Sequence, residues 1–165
     1  MSNIYQVVKV GIADLNIALS PDTIRTSGLG SCVGCVIYDP IRKVAGLAHI
    51  MLPDSSLSRQ AKMNDYKYAD TALPILVERL ISAGARKIAL KAKIAGGAQM
   101  FKFSSQSDMM RIGPRNTEAV IAKLSELGIP LIASDTGGNC GRTIEFFPES
   151  SELNIRTVNK GETTL

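Results

Sequence analysis

Hydrophobic and polar residues alternate over short stretches of the chain, and this spacing predicts strands. Between residues 87 and 94, apolar side chains alternate with positions that include three lysines, which indicates a strand with a lysine-bearing outer face. Leu153 and Ile155 alternate with polar residues in the same way. Two longer runs, residues 32–38 and 44–52, are apolar on both faces, as is typical of central strands.

Two amphipathic helices are predicted from apolar residues that recur at steps of three and four. The first covers residues 69–81, with Gly84 suited to its C-terminal cap and Pro74 predicting a kink or a later start. The second has its apolar residues between positions 120 and 127 and ends at Gly128. Because strands predominate and the helices are far apart in sequence, we expect an α+β fold, a layered α/β sandwich of mixed or antiparallel sheets with two main helices.

Length and composition are ordinary for one globular domain. The chain has 165 residues, of which 45% are hydrophobic and 21% are charged. We assign residues 1–158 to that domain and expect a loose C-terminal tail at residues 159–165. The formal net charge is +4, but the basic residues are scattered and the chain has no Trp, so composition does not favour nucleic-acid binding.

The apolar runs are too short for a membrane-spanning protein. None approaches the roughly 20 residues needed to cross a bilayer, and the first residues lack the charged and apolar regions of a signal peptide. We therefore expect a cytoplasmic protein with no direct membrane insertion. Because thiols stay reduced in that compartment, the three cysteines are predicted to be free thiols.

The candidate chemistry centres on His49, the only histidine of the chain. Residues 26–32 read Thr-Ser-Gly-Leu-Gly-Ser-Cys, and two closely spaced glycines allow unusual backbone dihedral angles. Such a loop can direct backbone N–H groups at a developing oxyanion, and it places Cys32 at the start of an apolar run. The candidate oxyanion-loop residues are Gly28, Gly30 and Ser31.

A hairpin formed by the two longer apolar runs would bring the thiol and the imidazole together. With a two-residue turn in the middle of Asp-Pro-Ile-Arg, Tyr38 lies opposite Lys43. The same register places Cys32 directly opposite His49, although this turn is not a preferred one and a slip of one residue would separate the two. The imidazole would take the thiol proton, and Thr26 is a candidate for orienting the ring. A threonine at that position is also an ordinary turn residue.

Two other uses of the cysteines stay open from the residues alone. Cys32 and Cys35 form a C-x-x-C pair, but this pair runs into a strand, whereas redox pairs of this kind start a helix. Residues three apart in a strand point to opposite faces, which also disfavours a zinc site that adds His49 and Cys140. Cys35 and Cys140 are most simply small buried hydrophobic residues.

Two glycine pairs follow predicted strands. Residues 96–99, Gly-Gly-Ala-Gln, either line the cleft that contains the thiol or form a turn. Residues 137–139, Gly-Gly-Asn, lie between two strand-like runs and predict a hairpin turn.

The segment 26–32, taken with Gly-Leu-Ala-His-Ile-Met-Leu-Pro at residues 46–53, resembles the signature of the CheD family of chemoreceptor glutamine deamidases. The same resemblance extends over nearly the whole chain through Lys-Tyr-Ala-Asp at 67–70, Gly-Gly-Ala at 96–98, Ile-Gly-Pro-Arg-Asn at 112–116 and Asp-Thr-Gly-Gly at 135–138. It implies a catalytic triad of Cys32, His49 and Thr26. It also implies hydrolysis of glutamine side chains to glutamate on methyl-accepting chemotaxis receptors.

The resemblance has further implications for fold, cofactors and partners. It implies an α/β sandwich similar to that of deamidating toxins, with no metal and no organic cofactor. In some members of the family a phosphatase called CheC is a partner, and CheD raises its activity. The alternative is a binding and regulatory subunit that docks receptors and CheC through the same cleft. An intact triad serves either role, so the sequence does not separate them.

Overall fold

The computed structural model describes residues 4–57, 64–100 and 111–165, and within these ranges it contains ten strands and two α-helices. The strands are β1 Val7–Lys9, β2 Leu15–Leu19, β3 Thr23–Leu29, β4 Val33–Asp39, β5 Val44–Ile50, β6 Lys91–Gly96, β7 Leu131–Thr136, β8 Arg142–Phe147, β9 Glu152–Thr157 and β10 Gly161–Thr164. The helices are α1 Ala69–Ser82 and α2 Ile112–Glu126.

The strands form two mixed sheets of five strands each. The outer sheet has the order β1-β3-β8-β9-β10, and the central sheet has the order β2-β5-β4-β6-β7. Each sheet contains one parallel pair, β1 with β3 and β6 with β7, and the remaining pairs are antiparallel. Both helices contact the central sheet. The predicted α+β fold of layered mixed sheets with two main helices is confirmed.

Two hydrophobic cores lie on either side of the central sheet. The helix-side core joins Cys35 and Ile94 of that sheet to Leu76 of α1 and Leu124 of α2. The inter-sheet core joins the opposite face of the central sheet to the outer sheet, and it contains Leu29, Val36, Leu47, Ile144 and Phe146 among others. Every residue of β4 and β5 is buried, which confirms the prediction that these runs are central strands.

The two predicted helices are present with the expected ends. Helix α1 begins at Ala69, so Pro74 did not delay its start, and Gly84 follows the helix with a φ of +107°. Helix α2 ends at Glu126, and Gly128 follows with a φ of +73°. Glycine adopts these left-handed angles without the steric cost that a Cβ would bring, which explains both ends. Within the described ranges, no helix is long and apolar enough to cross a membrane.

The predicted strand between residues 87 and 94 was correct only in its second half. Residues Lys87–Ala89 form a 3-10 helix, and Ile88 is 96% exposed. Strand β6 begins at Lys91, and Lys93 is buried rather than on an outer face. Its ammonium group donates hydrogen bonds to the carbonyl oxygen atoms of Ser151 and Leu165. The alternation could not reveal this, because a lysine that donates to backbone carbonyls can face a core.

The C-terminal segment that was expected to be a loose tail contains a strand. Strand β10 pairs antiparallel with β9 and forms the edge of the outer sheet. All four of its residues are exposed, so its apolar content gave no sign of a strand. Main-chain hydrogen bonds to β9 hold it, and Glu162 adds an ion pair with Arg156 at 2.7 Å.

Candidate active site

The hairpin that carries the candidate residues exists, but its register differs from the predicted one by two residues. Gly34 lies opposite His49, and Tyr38 lies opposite Ala45 rather than Lys43. Because a shift of two residues preserves the face on which each side chain lies, Cys32 and His49 become diagonal neighbours on one face instead of directly opposed residues. The predicted direct opposition was therefore wrong, whereas the shared face is retained.

The turn between β4 and β5 explains the shift. Its four-residue loop is closed by a hydrogen bond from the Lys43 N–H to the Asp39 carbonyl oxygen at 2.9 Å. The buried carboxylate of Asp39 accepts further bonds from the N–H groups of Ile41 and Arg42. Lys43 takes a φ of +55°, which a two-residue turn in the predicted register does not require. An aspartate that bonds nearby N–H groups in this way favours the longer loop.

Strand β3 leads into the cysteine through a bulge. Thr26 pairs with Ile144, but Leu29 pairs with Arg142, so β3 carries one extra residue at this point. Gly28 lies in the bulge with a φ of +73°, where a residue with a Cβ would be strained. After the bulge, residues 30–32 cross from the outer sheet to the central sheet, and Cys32 immediately precedes β4.

Three consecutive carbonyl groups of this crossing segment are held by hydrogen bonds. The Gly30 carbonyl accepts from the Ala98 N–H, and the Cys32 carbonyl accepts from the Gly97 N–H, both at 2.8 Å. The Ser31 carbonyl accepts from Nδ2 of Asn116 at 3.0 Å. Residues 96–98 therefore line the segment that presents the thiol, which was one of the two possibilities left open by the sequence. They hold its backbone at three points together with α2.

Gly96 and Gly113 allow this close approach. A Cβ on Gly96, whose φ is +112°, would lie 2.3 Å from the Cys32 carbonyl oxygen. A Cβ on Gly113 of α2 would lie 2.2 Å from the Ala98 carbonyl oxygen. Both distances are far below van der Waals contact with a backbone atom that cannot easily move. Residues 96–98 are thus packed between the cysteine segment and α2, with no room for side chains at these two positions.

Asn116 is a site residue to which sequence reasoning gave no role. It is fully buried, and its Nδ2 group donates to the carbonyl oxygen atoms of Ser31 and Met51, at 3.0 and 2.9 Å. It therefore joins the residue before Cys32 to the chain two residues after His49. A signal was present in the sequence, because Asn116 lies four positions before Val120 on the buried face of the helix, where a polar residue needs partners.

A hydrogen-bond chain fixes the tautomer of His49. The Thr26 hydroxyl donates to the Val10 carbonyl oxygen at 2.7 Å, and its Oγ1 lies 2.8 Å from Nδ1 of His49. A hydroxyl has one proton to donate, so Nδ1 of the imidazole must be the donor to Oγ1. The neutral ring then carries its lone pair on Nε2, which is the atom that a general base uses. Among the described residues, Nε2 has no hydrogen-bond partner.

Burial favours the neutral form of both candidate groups. His49 is fully buried, and burial lowers its pKa to about 4. Gly34 is paired with His49 on the neighbouring strand, and the side chains of Ile144 and Leu29 pack where a Gly34 side chain would lie. The surroundings of the imidazole ring are therefore apolar. Burial also raises the pKa of the half-buried Cys32 thiol. Both shifts oppose a preformed thiolate–imidazolium pair, because each disfavours the charged form.

The two cysteines of the C-x-x-C pair lie on different faces of the central sheet. Cys35 belongs to the helix-side core, whereas Cys32 packs against the inter-sheet core. This arrangement opposes the redox and zinc alternatives, since two thiols on opposite faces cannot share a bond or an ion without distortion. Cys35 is fully buried as expected, but Cys140 is only partly buried.

Residues 137–139 do not form the predicted hairpin turn. They connect β7 of the central sheet to β8 of the outer sheet, so the two flanking strands are not paired with each other. Gly137 and Gly138 have φ angles of +86° and +71°, and the Gly137 N–H donates to the Gly96 carbonyl oxygen. The prediction of a hairpin was therefore wrong, because at this glycine pair the chain passes from one sheet to the other.

Comparison with known proteins identifies the family. Residues 51–157 match the family described as CheD chemotactic sensory transduction. The chain belongs to the CheD family. Because this match begins after His49, it carries no information about the candidate triad. The match confirms the resemblance that the sequence motifs indicated.

Curated relatives match over almost the entire chain. A protein of Halalkalibacterium halodurans named chemoreceptor glutamine deamidase CheD is 63% identical, covering 94% of this chain and 96% of its own. A protein of Bacillus subtilis with the same name is 61% identical, covering 96% of each. A Clostridium novyi protein named probable chemoreceptor glutamine deamidase CheD is 53% identical, covering 93% of this chain and 94% of its own.

A solved structure also resembles this fold, more distantly. The hypothetical protein YfiH of Bacillus licheniformis aligns with a TM-score of 0.46 and 13% identity, covering 76% of this chain and 51% of that one. The fold assignment therefore rests on the strands and helices of this CheD chain themselves.

Proposed function

We propose that this chain hydrolyses glutamine side chains of chemoreceptors to glutamate, with Cys32 as nucleophile, His49 as general base and Thr26 as the residue that orients the base. The observation that carries the proposal is the hydrogen-bond chain from Val10 through Thr26 to Nδ1 of His49, which leaves Nε2 without a described partner. Cys32 lies on the same face of the central hairpin. The names of the curated relatives support the enzyme class and the receptor substrate.

The first step is attack of the thiolate on the substrate carboxamide. Nε2 of His49 takes the proton of the Cys32 thiol, and the sulfur forms a bond to the carboxamide carbon. The imidazolium that results keeps its Nδ1–H bond to Thr26, whose hydroxyl is bonded in turn to the Val10 carbonyl. This neutral chain stabilises the positive charge through dipoles and does not require a carboxylate.

Two backbone N–H groups of the cysteine segment are the donors that we assign to the oxyanion. The Gly30 N–H is already bonded to the Gly28 carbonyl at 3.1 Å, while the N–H groups of Ser31 and Cys32 have no partner among the described residues. A trans peptide points its N–H opposite to its carbonyl, so holding the carbonyls of Gly30 and Ser31 fixes the directions of these two N–H groups. Preorganised donors of this kind stabilise charge that develops in the transition state.

The second half of the reaction restores the enzyme. The tetrahedral intermediate collapses, the C–N bond breaks, and the proton on Nε2 goes to the departing ammonia, leaving a thioester at Cys32. His49 then takes a proton from water, whose oxygen attacks the thioester carbon. The C–S bond breaks, the proton returns to sulfur, and glutamate is released. The net reaction adds one water and releases one ammonia.

The partner phosphatase CheC remains a prediction of the family resemblance. A regulatory subunit that uses the same cleft for docking is the alternative role. Both roles keep the fold, and only the hydrolytic role needs the thiol. The thiol is therefore the residue on which an experiment should act.

The test is ammonia release from a purified chemoreceptor cytoplasmic fragment, with mass spectrometry to locate each glutamine that becomes glutamate. We expect wild-type protein to release ammonia and Cys32→Ala to release none above background. Cys35→Ala is the matched control, since Cys35 lies three residues away on the opposite face. Equal activity of Cys32→Ala and wild type would remove the nucleophile assignment. Retained receptor binding and signalling by an inactive Cys32→Ala protein would favour the regulatory role.

A further inference from the structure

A polar cavity lies beside the cysteine segment and has no role in the proposed chemistry. Its volume is about 240 Å³, and we call it the 135–163 pocket after the residues that line it. Its polar side chains include those of Asp135, Asn139, Cys140, Arg142, Lys160 and Thr163. The lining combines two cationic side chains with one carboxylate, which leaves an excess of one positive charge, together with hydroxyl and amide groups. This composition suits an anion.

Arg142 has hydrogen-bonding capacity to spare. Its side chain is only 6% exposed, and it makes two long hydrogen bonds, to the Gly96 carbonyl oxygen at 3.3 Å and to Oδ1 of Asp135 at 3.4 Å. A guanidinium group has five N–H donors, and these two bonds use only two of the four on its terminal nitrogen atoms, at a residue that lines the pocket. Because the ion pair with Asp135 is long, terminal N–H groups of Arg142 remain for a charge-assisted hydrogen bond to a second carboxylate in the pocket.

The position of the pocket relates it to the thiol. Arg142 pairs with Leu29, which directly precedes the cysteine segment. The carbonyl to which Arg142 donates belongs to Gly96, and the next residue, Gly97, donates to the Cys32 carbonyl. The pocket and Cys32 therefore lie at the same end of the two sheets. Two hydrogen bonds connect them, one from the Arg142 side chain to Gly96 and one from the Gly97 N–H to Cys32. We therefore expect a receptor segment that places a glutamine at Cys32 to pass close to the pocket.

We propose that the 135–163 pocket binds the carboxylate of an acidic residue that neighbours the target glutamine on the receptor segment. The proposal rests on the proposed deamidase function and adds a substrate preference to it. Arg142 supplies the buried charge and Lys160 the exposed one at the rim. Because deamidation itself creates glutamates, a segment modified at one position becomes a better ligand for this pocket at the next.

Lys160 provides the cleaner kinetic test, because Arg142 also supports the backbone around Gly96. With receptor fragments that carry a glutamate near the target glutamine, Lys160→Glu should lower kcat/KM by about threefold to tenfold, mostly through KM. The same fragment with that glutamate replaced by alanine should show a smaller loss, and added salt should narrow the difference. The matched control is Lys87→Glu, an exposed lysine of the 3-10 helix before β6, which should behave as wild type.

A binding measurement separates this proposal from the proposed function. In a Cys32→Ala protein, Cys35 is buried and Cys140 lines the pocket, so alkylation of Cys140 by iodoacetamide reports access to it. A saturating acidic receptor fragment should slow this alkylation by about threefold or more, and its alanine-substituted form should slow it less. Equal protection by both fragments, or equal losses for both in the Lys160→Glu kinetics, would overturn the proposal. Protection without any wild-type ammonia release would overturn the deamidase function and leave the acidic-ligand site standing.

Discussion

The two faces of the central hairpin β4–β5 differ in kind, although the same short segments form both. The face toward the helices is apolar and contains Cys35 and Ala48. The face toward the outer sheet contains His49, opposite a glycine, and Thr26 reaches it from β3. Cys32 packs against this second face at the point where the chain enters the sheet. The proposed chemistry therefore lies between the two sheets and not under the helices.

The two cysteines show what this difference means for reactivity. Burial raises the pKa of both thiols, but Cys35 is fully buried and its thiol pKa is raised far above the ordinary value. Cys32 is half-buried, and its thiol pKa is raised as well. Position rather than acidity thus distinguishes Cys32 as the proposed nucleophile, since of these two cysteines only Cys32 lies on the face that contains His49. If these two neutral groups are the reacting pair, the attacking step requires general-base catalysis.

Among the substitutions that test the difference between the two faces of the hairpin, removal of the base His49 should lower activity the most. We expect His49→Gln to lower kcat by about 10²–10⁴-fold, the usual contribution of a general base, because no other histidine exists to replace it. Ammonia release under saturating receptor fragment measures the effect. A loss of less than about threefold would remove His49 from the proton transfer, provided that circular dichroism shows an intact fold.

Removing the orienting hydroxyl should have an intermediate effect. In Thr26→Val, the Nδ1–H of His49 loses its acceptor, and kcat should fall by about 10–100-fold, as for other residues that orient a reactive imidazole. Thr26→Ser keeps the hydroxyl and should retain most of the activity. The comparison of these two variants at equal thermal stability isolates the hydroxyl. Equal activity of the two would show that the Thr26 contact is structural only.

The sequence predicted which residues share a face of the hairpin better than which residues lie opposite each other. The alternation of side chains along each strand placed Cys32 and His49 on one face. That conclusion holds although the predicted register was wrong by two residues. The error arose because the carboxylate of Asp39 organises a four-residue loop, which is a local effect that hydrophobic spacing does not encode. The predicted α+β class followed from strand content and helix spacing, which depend on many residues.

Contacts between distant parts of the chain were beyond sequence reasoning. The carbonyls of residues 30–32 are held by Gly97, Ala98 and Asn116, which lie more than sixty residues later in the chain. Lys93 was read as a surface lysine because its carbonyl partners come from the other sheet. In each case a polar group has a partner far away in the sequence, and that partner is known only from the folded structure.

A smaller effect concerns stability against acid. The pKa of His49 is about 4 in the folded protein and about 6.5 in an unfolded chain, so the unfolded state binds more protons between these values. Stability is therefore full above about pH 6.5 and falls as the pH is lowered toward 4. We expect a loss of about 2 kcal/mol between pH 7 and pH 5 from this group. Urea unfolding at the two pH values measures it, and His49→Gln should lose correspondingly less.

The smallest effect on activity is expected on the helix-facing side of the hairpin. Cys35→Ala removes one buried sulfur and should lower stability by about 1 kcal/mol through a small cavity. Its ammonia release should stay within about twofold of wild type, because Cys35 does not face the imidazole. Thermal unfolding and turnover measured on the same preparation test this pair of expectations. A large loss of turnover with unchanged stability would contradict the separation of the two faces.

The central claim is that substrate is held on Cys32 during turnover, and acid quenching of a reaction with receptor fragment tests it most directly. Mass spectrometry of the digested enzyme should show the fragment joined as a thioester to the peptide that contains Cys32, with ammonia already released. His49→Gln should accumulate little of this adduct. An adduct on any other residue, or turnover that persists in Cys32→Ala, would contradict the account.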